Sequence, residues 1–203
     1  NQVIMTRIIL ASSSPRRHKL LKKFSIDHDV IRPEYQEPPP QENEDPVAYA
    51  RDIAVEKVKS IEKPEADCLV IGADTIVVFQ GRIMGKPGCE TEAKNMISLL
   101  SGQQHYVITG LALGLPDGLL QSCTVQTEVT FRELSRDEID WYIESHDWKG
   151  KAGAYGIQSL GGALVEKISG DWFNVVGLPM PQLLIWLSSS NPGIWPPSIH
   201  YSK

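Results

Sequence analysis

The chain has 203 residues, of which 41% are hydrophobic and 22% are charged. This length and composition suit one compact domain, or two closely joined lobes with a real core. The formal net charge of −5 argues against a nucleic-acid binder that depends on a generally basic surface. A local cluster of basic residues could still hold a small polyanion, and we expect no nucleic-acid partner.

The three cysteines give no sign of a disulfide framework or of a structural zinc site. Cys68, Cys89 and Cys123 are odd in number, far apart and never spaced as CxxC. No apolar stretch approaches the roughly 20 residues that span a bilayer, and the start of the chain is too quickly charged for a signal peptide. These features predict a cytoplasmic protein without a membrane partner.

The first third of the chain predicts two strands and two helices. The apolar run 7–10 is typical of a buried strand, and Ser14 with Pro15 then predicts a helix start. The segment "DHDVIRPE" predicts a second strand, and "PEYQEPPPQENED" an exposed loop. Asp45 with Pro46 repeats the helix-start signal, and an amphipathic helix follows with Lys57 beside its apolar stripe.

The middle of the chain predicts most of a sheet. "CLVIGADTIVVF" is continuously apolar, as in a central strand covered on both faces, and "RIMGKP" predicts a short strand or turn. Residues 92–100 predict a helix that ends at Gly102. "HYVITGLALGL" and "SCTVQTEVTFREL" then predict an antiparallel hairpin joined across "PDG".

The last third predicts two helices separated by glycine-rich loops. Ser135 is expected to cap the helix "RDEIDWYIESH", and "PQLLIWLSS" forms a closing helix. The stretch "KGKAGAYGIQSLGGALVEKISGDW" is typical of loops that bring backbone close to a ligand, and the tail after Asn191 is expected to be peripheral. Early alternation of strands and helices followed by a hairpin predicts an α/β fold with a mixed sheet, whose ligand lies beyond the strand ends.

The segment "ASSSPRRHKLL" combines several groups that bind phosphate. It offers the N–H groups of a helix N-terminus, the hydroxyls of Ser12 and Ser14, and the guanidinium groups of Arg16 and Arg17. A capped helix with two solvated arginines is the alternative. That alternative accounts for Ser14 but not for two cations in a first helical turn, where they are electrostatically disfavoured.

Three further residues have both a chemical and an ordinary interpretation. Asp74 interrupts a buried strand, so it must be paired, metal-bound or at a cleft, where it could activate water; capping a turn is the alternative. Lys86 precedes a proline in a segment whose glycine spacing does not match a P-loop, so it is a rigid cation or a solvated turn lysine. Gln158 could read a base edge, or serve only as a turn amide.

Six short segments in order resemble the Maf family of nucleoside triphosphate pyrophosphatases. They are "ILASSSPRRHKLL", "VIGADTIV", "GKP", "LSGQQHYVITG", "KAGAYGIQ" and "ISGDWFNVVGLPM", and the similarity extends from Ile8 to about Leu187. The resemblance implies a mixed twisted sheet in two lobes with a central substrate cleft, as in inosine triphosphate pyrophosphatases. It also implies one Maf-like domain over residues 1–190, with 191–203 as a proline-rich tail.

The same resemblance implies an activity. The family hydrolyses nucleoside triphosphates between the α and β phosphates with Mg²⁺ or Mn²⁺, and "KAGAYGIQ" resembles the branch that acts on dTTP and UTP. Modified pyrimidine nucleotides are possible further substrates, and relatives are often homodimers. The alternative is a nucleotide-binding regulatory protein, without catalysis, linked to control of cell division.

Position by position, the resemblance assigns roles to residues of this chain. Asp74 matches the catalytic proton acceptor and is a candidate metal ligand. The other matches are catalytic Lys57 and Lys86, phosphate-binding Ser12, Ser14, Arg16 and Arg17, and the specificity residues Arg17, Thr75 and Gln158. Many relatives have two consecutive glutamates where this chain has Gln36 and Glu37, so Glu37 is only a weak candidate for the metal.

Overall fold

The computed structural model describes residues 6–62, 67–190 and 194–196. Its strands are β1 (Arg7–Ala11), β2 (Asp29–Ile31), β3 (Cys68–Phe79), β4 (Arg82–Met84), β5 (Gln104–Gly114), β6 (Leu120–Phe131) and β7 (Val165–Ser169). Its helices are α1 (Pro15–Lys23), α2 (Pro46–Lys59), α3 (Glu90–Leu100), α4 (Arg136–Glu144), α5 (Trp172–Val176) and α6 (Met180–Ser190).

The strands form one sheet in the order β2-β1-β3-β5-β6-β7, with β4 also paired to β3. The strand β1 runs parallel to β2 and β3, and the other pairs are antiparallel. The predicted α/β fold with a mixed sheet is therefore confirmed.

The central strand β3 changes partner along one of its edges. On one side it pairs with β5 from Val70 to Val78. On the other side it pairs with β1 as far as Gly72 and with β4 from Val77. In the described part of the chain no strand pairs with residues 73–76 on that side, so the sheet splits beside Asp74.

Alternation along β3 sends successive side chains to opposite faces of the sheet. Ile71 and Ala73 pack with α1 and α6 on one face, whereas Val70 and Ile76 face α2 on the other. Asp74 is in phase with Val70 and Ile76, and Thr75 is in phase with Ala73. The split therefore places a carboxylate on the α2 face and a hydroxyl on the α1 face.

Two glycines allow α2 to lie directly on the sheet. A Cβ atom at Gly72 would stand 2.5 Å from the Ala54 carbonyl oxygen, and one at Gly110 would stand 2.0 Å from that of Ala50. Both distances are far below van der Waals contact, so any side chain there would push α2 away. This close approach brings Lys57 of α2 within reach of β3.

Most of the predicted elements are confirmed, with two corrections. Ser135 caps α4 as expected, through a capping box. The first correction is that the helix expected from Glu92 begins at Glu90. The second correction is that the glycine-rich stretch from Lys149 to Trp172 does not consist of loops alone. It contains β7 and two 3₁₀ turns, Ala152–Ala154 and Leu160–Leu164, and α5 begins at its last residue. The pairing of β7 with β6 adds a strand to the sheet.

Two other sequence predictions concern the ends and surface of the chain. Most of the proline-rich tail, 191–193 and 197–203, lies outside the described residues, so the boundary between domain and tail stays a prediction. None of the helices in the described part combines the length and the apolar composition that a membrane-spanning segment requires.

Candidate active site

A cavity of about 760 Å³ opens at the split in the sheet. Its walls come from the start of α1, the centre of β3, the loop 32–40, the turn after β4, and the segment 150–158. Every residue predicted for the site lines this cavity: Ser12, Ser14, Arg16, Arg17, Glu37, Lys57, Asp74, Thr75, Lys86 and Gln158. The fold thus brings together residues that are up to 146 positions apart in the chain.

Lys57 joins two carboxylates at the base of the cavity. Its Nζ donates to Asp74 Oδ1 at 2.8 Å and forms an ion pair with Glu37 Oε1 at 2.6 Å. The side chains of Lys57 and Asp74 are only 7% and 10% exposed. Asp74 Oδ2 has no hydrogen bond to a described residue, which leaves this oxygen available to a molecule in the cavity.

Glu37 is held in its charged form although it is half-buried. Burial alone would raise the pKa of Glu37, but the hydrogen bond and charge of Lys57, aided by Lys86 and Arg17, hold that pKa below its ordinary value. The structure therefore brings Glu37, the weakest of the sequence candidates, into direct contact with the centre of the site.

Arg17 is buried and fixed by three neutral partners. Its Nε donates to the Gly177 carbonyl at 2.8 Å, Nη1 to Ser12 Oγ at 3.1 Å, and Nη2 to Thr75 Oγ1 at 3.1 Å. Burial lowers its pKa, although the nearby charge of Asp74 opposes this effect. A guanidinium group has five N–H donors, so two remain for a ligand. The absence of a direct ion pair with a described residue makes this buried cation suited to an anion.

Arg16 differs from its neighbour because it has no hydrogen bond or ion pair with a described residue. It is partly exposed and lines the cavity. Burial lowers the pKa of Arg16, and the charge of Asp147 raises it in part. Arg16 is the more available of the two arginines for a phosphate group.

The start of α1 differs in detail from the sequence prediction. Ser14 occupies the N-cap position with Pro15 at the first helical position, but its hydroxyl makes no capping hydrogen bond. The Ser14 N–H donates instead to Ser12 Oγ at 3.1 Å. The Ser14 hydroxyl, expected to cap, is thus available at a helix N-terminus, where anions are favoured.

The segment 150–158 forms the opposite wall. Lys151 is buried and binds Asp147 Oδ1 at 2.7 Å and Ser159 Oγ at 3.0 Å. A Cβ atom at Gly156 would stand 3.0 Å from the Lys151 side chain and 3.1 Å from Gln158 Nε2. Gly156 therefore leaves space for the Gln158 amide, which is exposed towards the cavity.

Sequence reasoning missed the groups that hold Arg17 and Thr75 in place. These are the Gly177 carbonyl, the Thr109 hydroxyl and, behind both, Asn174, whose main-chain carbonyl binds Thr109 and the Gly177 N–H; Thr109 and Asn174 are each 0% exposed. A backbone carbonyl has no signature in a sequence. Thr109 and Asn174 do carry one, since each is a polar residue inside an apolar run, "VITGLAL" and "WFNVV".

The donor set of the site suits a hard divalent cation that arrives with phosphate. Among the described residues, no group of three or more His, Cys, Asp or Glu side chains is arranged to hold a metal ion. Mg²⁺, however, is commonly bound by one or two carboxylates together with substrate phosphates. Asp74 and Glu37 supply two carboxylates that line the same cavity and share Lys57 as ion-pair partner, so their number and type fit this pattern.

A family model described as Maf-like protein matches residues 7–190 of this chain. The chain belongs to the Maf family. The dTTP/UTP pyrophosphatase of Dictyoglomus thermophilum is 41% identical over 87% of this chain and 92% of its own length. The protein of the same name from a strain of Bacillus cereus is 43% identical over 92% of this chain and 97% of its own length.

Solved structures similar to this Maf protein are more distant. A HAM1 protein from Coxiella burnetii has a TM-score of 0.48 and 17% identity, covering 91% of this chain and 100% of its own. A nucleoside-triphosphatase, dITP/XTP pyrophosphatase, from Mycobacterium abscessus has a TM-score of 0.40 and 13% identity, covering 92% of this chain and 98% of its own.

Proposed function

We propose that this Maf protein hydrolyses dTTP and UTP to the nucleoside monophosphate and pyrophosphate. The support from sequence is the name dTTP/UTP pyrophosphatase, carried by relatives 41% to 43% identical over most of the chain. The support from structure is a cavity of about 760 Å³, which lies within the range of small-molecule sites.

One observation carries the proposal: the buried Asp74–Lys57 pair, joined by the more exposed Glu37, shares one cavity with three further cationic side chains. A triphosphate needs positive charge along its length and one basic group at the bond that breaks. Arg16, Arg17 and Lys86 supply the charge. The free Oδ2 of Asp74 supplies the basic group.

Asp74 is the proton acceptor in this mechanism. Lys57 holds the carboxylate in place through Oδ1, so Oδ2 accepts a hydrogen bond from a water molecule in the cavity. As the water oxygen bonds to phosphorus at the α–β anhydride, one water proton passes to Asp74 and the anhydride P–O bond breaks. Pyrophosphate leaves with the electron pair of that bond.

The cations stabilise the charge that develops on the departing pyrophosphate. Arg16 and the helix N-terminus at Ser14 contact phosphate oxygens, and Lys86 reaches them from the opposite wall. Asp74 and Glu37 would hold a Mg²⁺ or Mn²⁺ ion, which neutralises phosphate charge and polarises the scissile bond. Preorganised charges of this kind act most strongly in a site from which water is excluded.

The base of the nucleotide is selected by groups around the cavity. We assign this role to Arg17, Thr75 and Gln158, whose two-sided amide can pair with the polar edge of thymine or uracil. Modified pyrimidine nucleotides fit the same arrangement. We further propose a cytoplasmic location, which suits three free cysteines, and a homodimer without a nucleic-acid partner.

A substrate panel tests the proposal. Each common nucleoside triphosphate is supplied with Mg²⁺ or Mn²⁺, and pyrophosphate release is measured for the wild type and for Asp74→Asn. We expect dTTP and UTP to be the best substrates, with a loss of at least about 100-fold in the variant. Binding of dTTP without any turnover by the wild type would instead support the regulatory alternative.

A further inference from the structure

Arg17 and Thr75 belong to a closed ring of hydrogen bonds that continues behind the cavity. Arg17 donates to the Gly177 carbonyl at 2.8 Å and to Thr75 Oγ1 at 3.1 Å. The Gly177 N–H donates to the Asn174 carbonyl at 3.0 Å. Thr109 Oγ1 lies 3.3 Å from that same carbonyl and 2.9 Å from Thr75 Oγ1, which closes the ring.

The two hidden members of the ring are fixed by the sheet. Thr109 lies directly opposite Thr75 in the β3–β5 pairing, so both side chains point to the same face. The Asn174 amide donates to the Val107 carbonyl at 3.0 Å and to Thr127 Oγ1 at 2.9 Å, which anchors α5 on β5 and β6. Thr109, Asn174 and Thr127 are each 0% exposed.

We propose that Thr109 and Asn174 are positioning residues, which set the orientation of Arg17 and Thr75 towards the substrate. This inference rests on the proposed function and deepens it. Neither residue lines the cavity. Both act through residues that do: Thr109 through the Thr75 hydroxyl, and Asn174 through Gly177, whose N–H donates to the Asn174 main-chain carbonyl.

The chemistry of Arg17 explains why such positioning matters. A buried guanidinium group without a carboxylate partner is held only by neutral acceptors, and its plane is set by where those acceptors lie. The Thr75 hydroxyl has a single proton, which goes to either Thr109 or Gly177. If Thr109 loses its hydroxyl, the Thr75 hydroxyl keeps only the Gly177 carbonyl as a partner besides Arg17. The Thr75 oxygen that accepts from Arg17 Nη2 is then less firmly oriented.

The side-chain amide of Asn174 is only partly hydrogen-bonded. Its Oδ1 is buried and has no hydrogen-bond partner among the described residues. An unpaired buried oxygen is costly, which offsets part of the stabilisation from the two hydrogen bonds of the amide nitrogen. The amide nitrogen of Asn174 fixes the residue on the sheet through Val107 and Thr127. Its main-chain carbonyl then binds Thr109 and the Gly177 N–H, which lead to the groups that hold Arg17.

Thr109→Val tests the inference because it replaces a hydroxyl with a methyl group of nearly the same size. We measure kcat and KM for dTTP, and the ratio of kcat/KM between dTTP and dGTP. The variant is expected to lower kcat/KM for dTTP and this ratio by about tenfold, as for the loss of a hydrogen bond to a charged group. Thr109→Ser, which keeps the hydroxyl, should restore both values to within about twofold of the wild type.

Ser101→Ala is the matched stability control. Ser101 Oγ accepts a hydrogen bond from the Leu134 N–H at 2.8 Å, and Leu134 packs in a hydrophobic cluster with residues of α3 and α4 such as Ile97 and Ile143. This variant should melt at a lower temperature yet keep the wild-type selectivity. If Thr109→Val folds poorly, Thr109→Ala serves as a second variant, because its smaller side chain cannot clash with the neighbouring residues.

Binding separates failure of this inference from failure of the proposed function. In an Asp74→Asn background, calorimetric titration with dTTP should show Kd about tenfold weaker for Thr109→Val than for Thr109. That result supports the inference even if the wild type releases no pyrophosphate, which would overturn only the proposed function. Wild-type Kd and selectivity in both Thr109→Val and Thr109→Ala, with only the melting temperature lowered, would overturn the inference.

Discussion

Replacing Lys57 with methionine tests the electrostatic design of the site. The substitution keeps the length of the apolar stem but removes the cation that Asp74 and Glu37 share. Asp74 would then be a buried carboxylate without a counter-ion, because its side chain is only 10% exposed. Glu37 is 41% exposed, so water can solvate it and its contribution to the loss is small.

The expected cost is large for a single substitution. Breaking a buried ion pair by removing one partner costs about 3–5 kcal/mol. For a domain of this size, each kcal/mol corresponds to about 2–4 °C, so the melting midpoint should fall by at least ~6 °C. Lys59→Met on the same helix is the control, since its ion pair with Glu56 is 60% and 42% exposed and should contribute less than about 1 kcal/mol.

A double-mutant cycle identifies the cause of the loss. Thermal or urea unfolding is compared for the wild type, Lys57→Met, Asp74→Asn and the double variant. If the cost is that of an unpaired buried charge, Asp74→Asn should recover at least about 1 kcal/mol in the Lys57→Met background. Strictly additive losses, or equal losses for Lys57→Met and Lys59→Met, would refute the reasoning.

Three further predictions concern separate parts of the molecule. Arg16→Ala should reduce kcat/KM for dTTP at least about tenfold, with less than about 0.5 kcal/mol lost in urea unfolding. Arg17→Ala loses three hydrogen bonds, two of them buried, and should reduce both kcat/KM and stability; equal stability losses in the two variants would contradict this difference. Burial lowers the pKa of His105 from 6.5 to about 4, so below pH 6.5 the unfolded chain takes up a proton that the folded chain does not. Folding stability should consequently fall by about 3 kcal/mol between pH 6.5 and 4, and parallel pH profiles of unfolding for wild type and His105→Gln would exclude this cause. Gly110→Ala should lower the free energy of unfolding by about 3 kcal/mol or more, because its Cβ would stand 2.0 Å from the Ala50 carbonyl oxygen. A variant that melts like the wild type would show that α2 does not lie so close to β5.

The sequence was most informative where local chemistry decides the structure. Asp45 with Pro46 and the capping box at Ser135 each mark a helix start by rules that act within one turn. The continuous apolar character of β3 predicted its central position, because only a strand covered on both faces needs it.

Elements that depend on distant partners were not predictable in the same way. The strand β7 has no run of buried residues, and it exists because it pairs with β6, some 40 positions earlier. The helix α5 has only five residues, too few to show a helical period. The helix α5 nevertheless shapes the site, since it ends at Gly177, whose carbonyl holds Arg17.

The site itself shows the same division. The ten residues selected from the sequence all line the cavity. The sequence assigned both Arg16 and Arg17 to phosphate binding, however, and only the fold separates an available cation from a fixed one. It also gave Glu37 the least weight. The ion pair between Glu37 and Lys57 joins an exposed loop to a helix, and no spacing rule within either segment indicates it.

The identity of the products tests the central claim most directly. Wild-type protein and Asp74→Asn are incubated with dTTP and Mg²⁺, and the phosphorus-containing products are resolved by ³¹P NMR. The account predicts equal amounts of dTMP and pyrophosphate from the wild type, with no orthophosphate, and little product from the variant. Release of dTDP and orthophosphate, or equal rates for the two proteins, would contradict it.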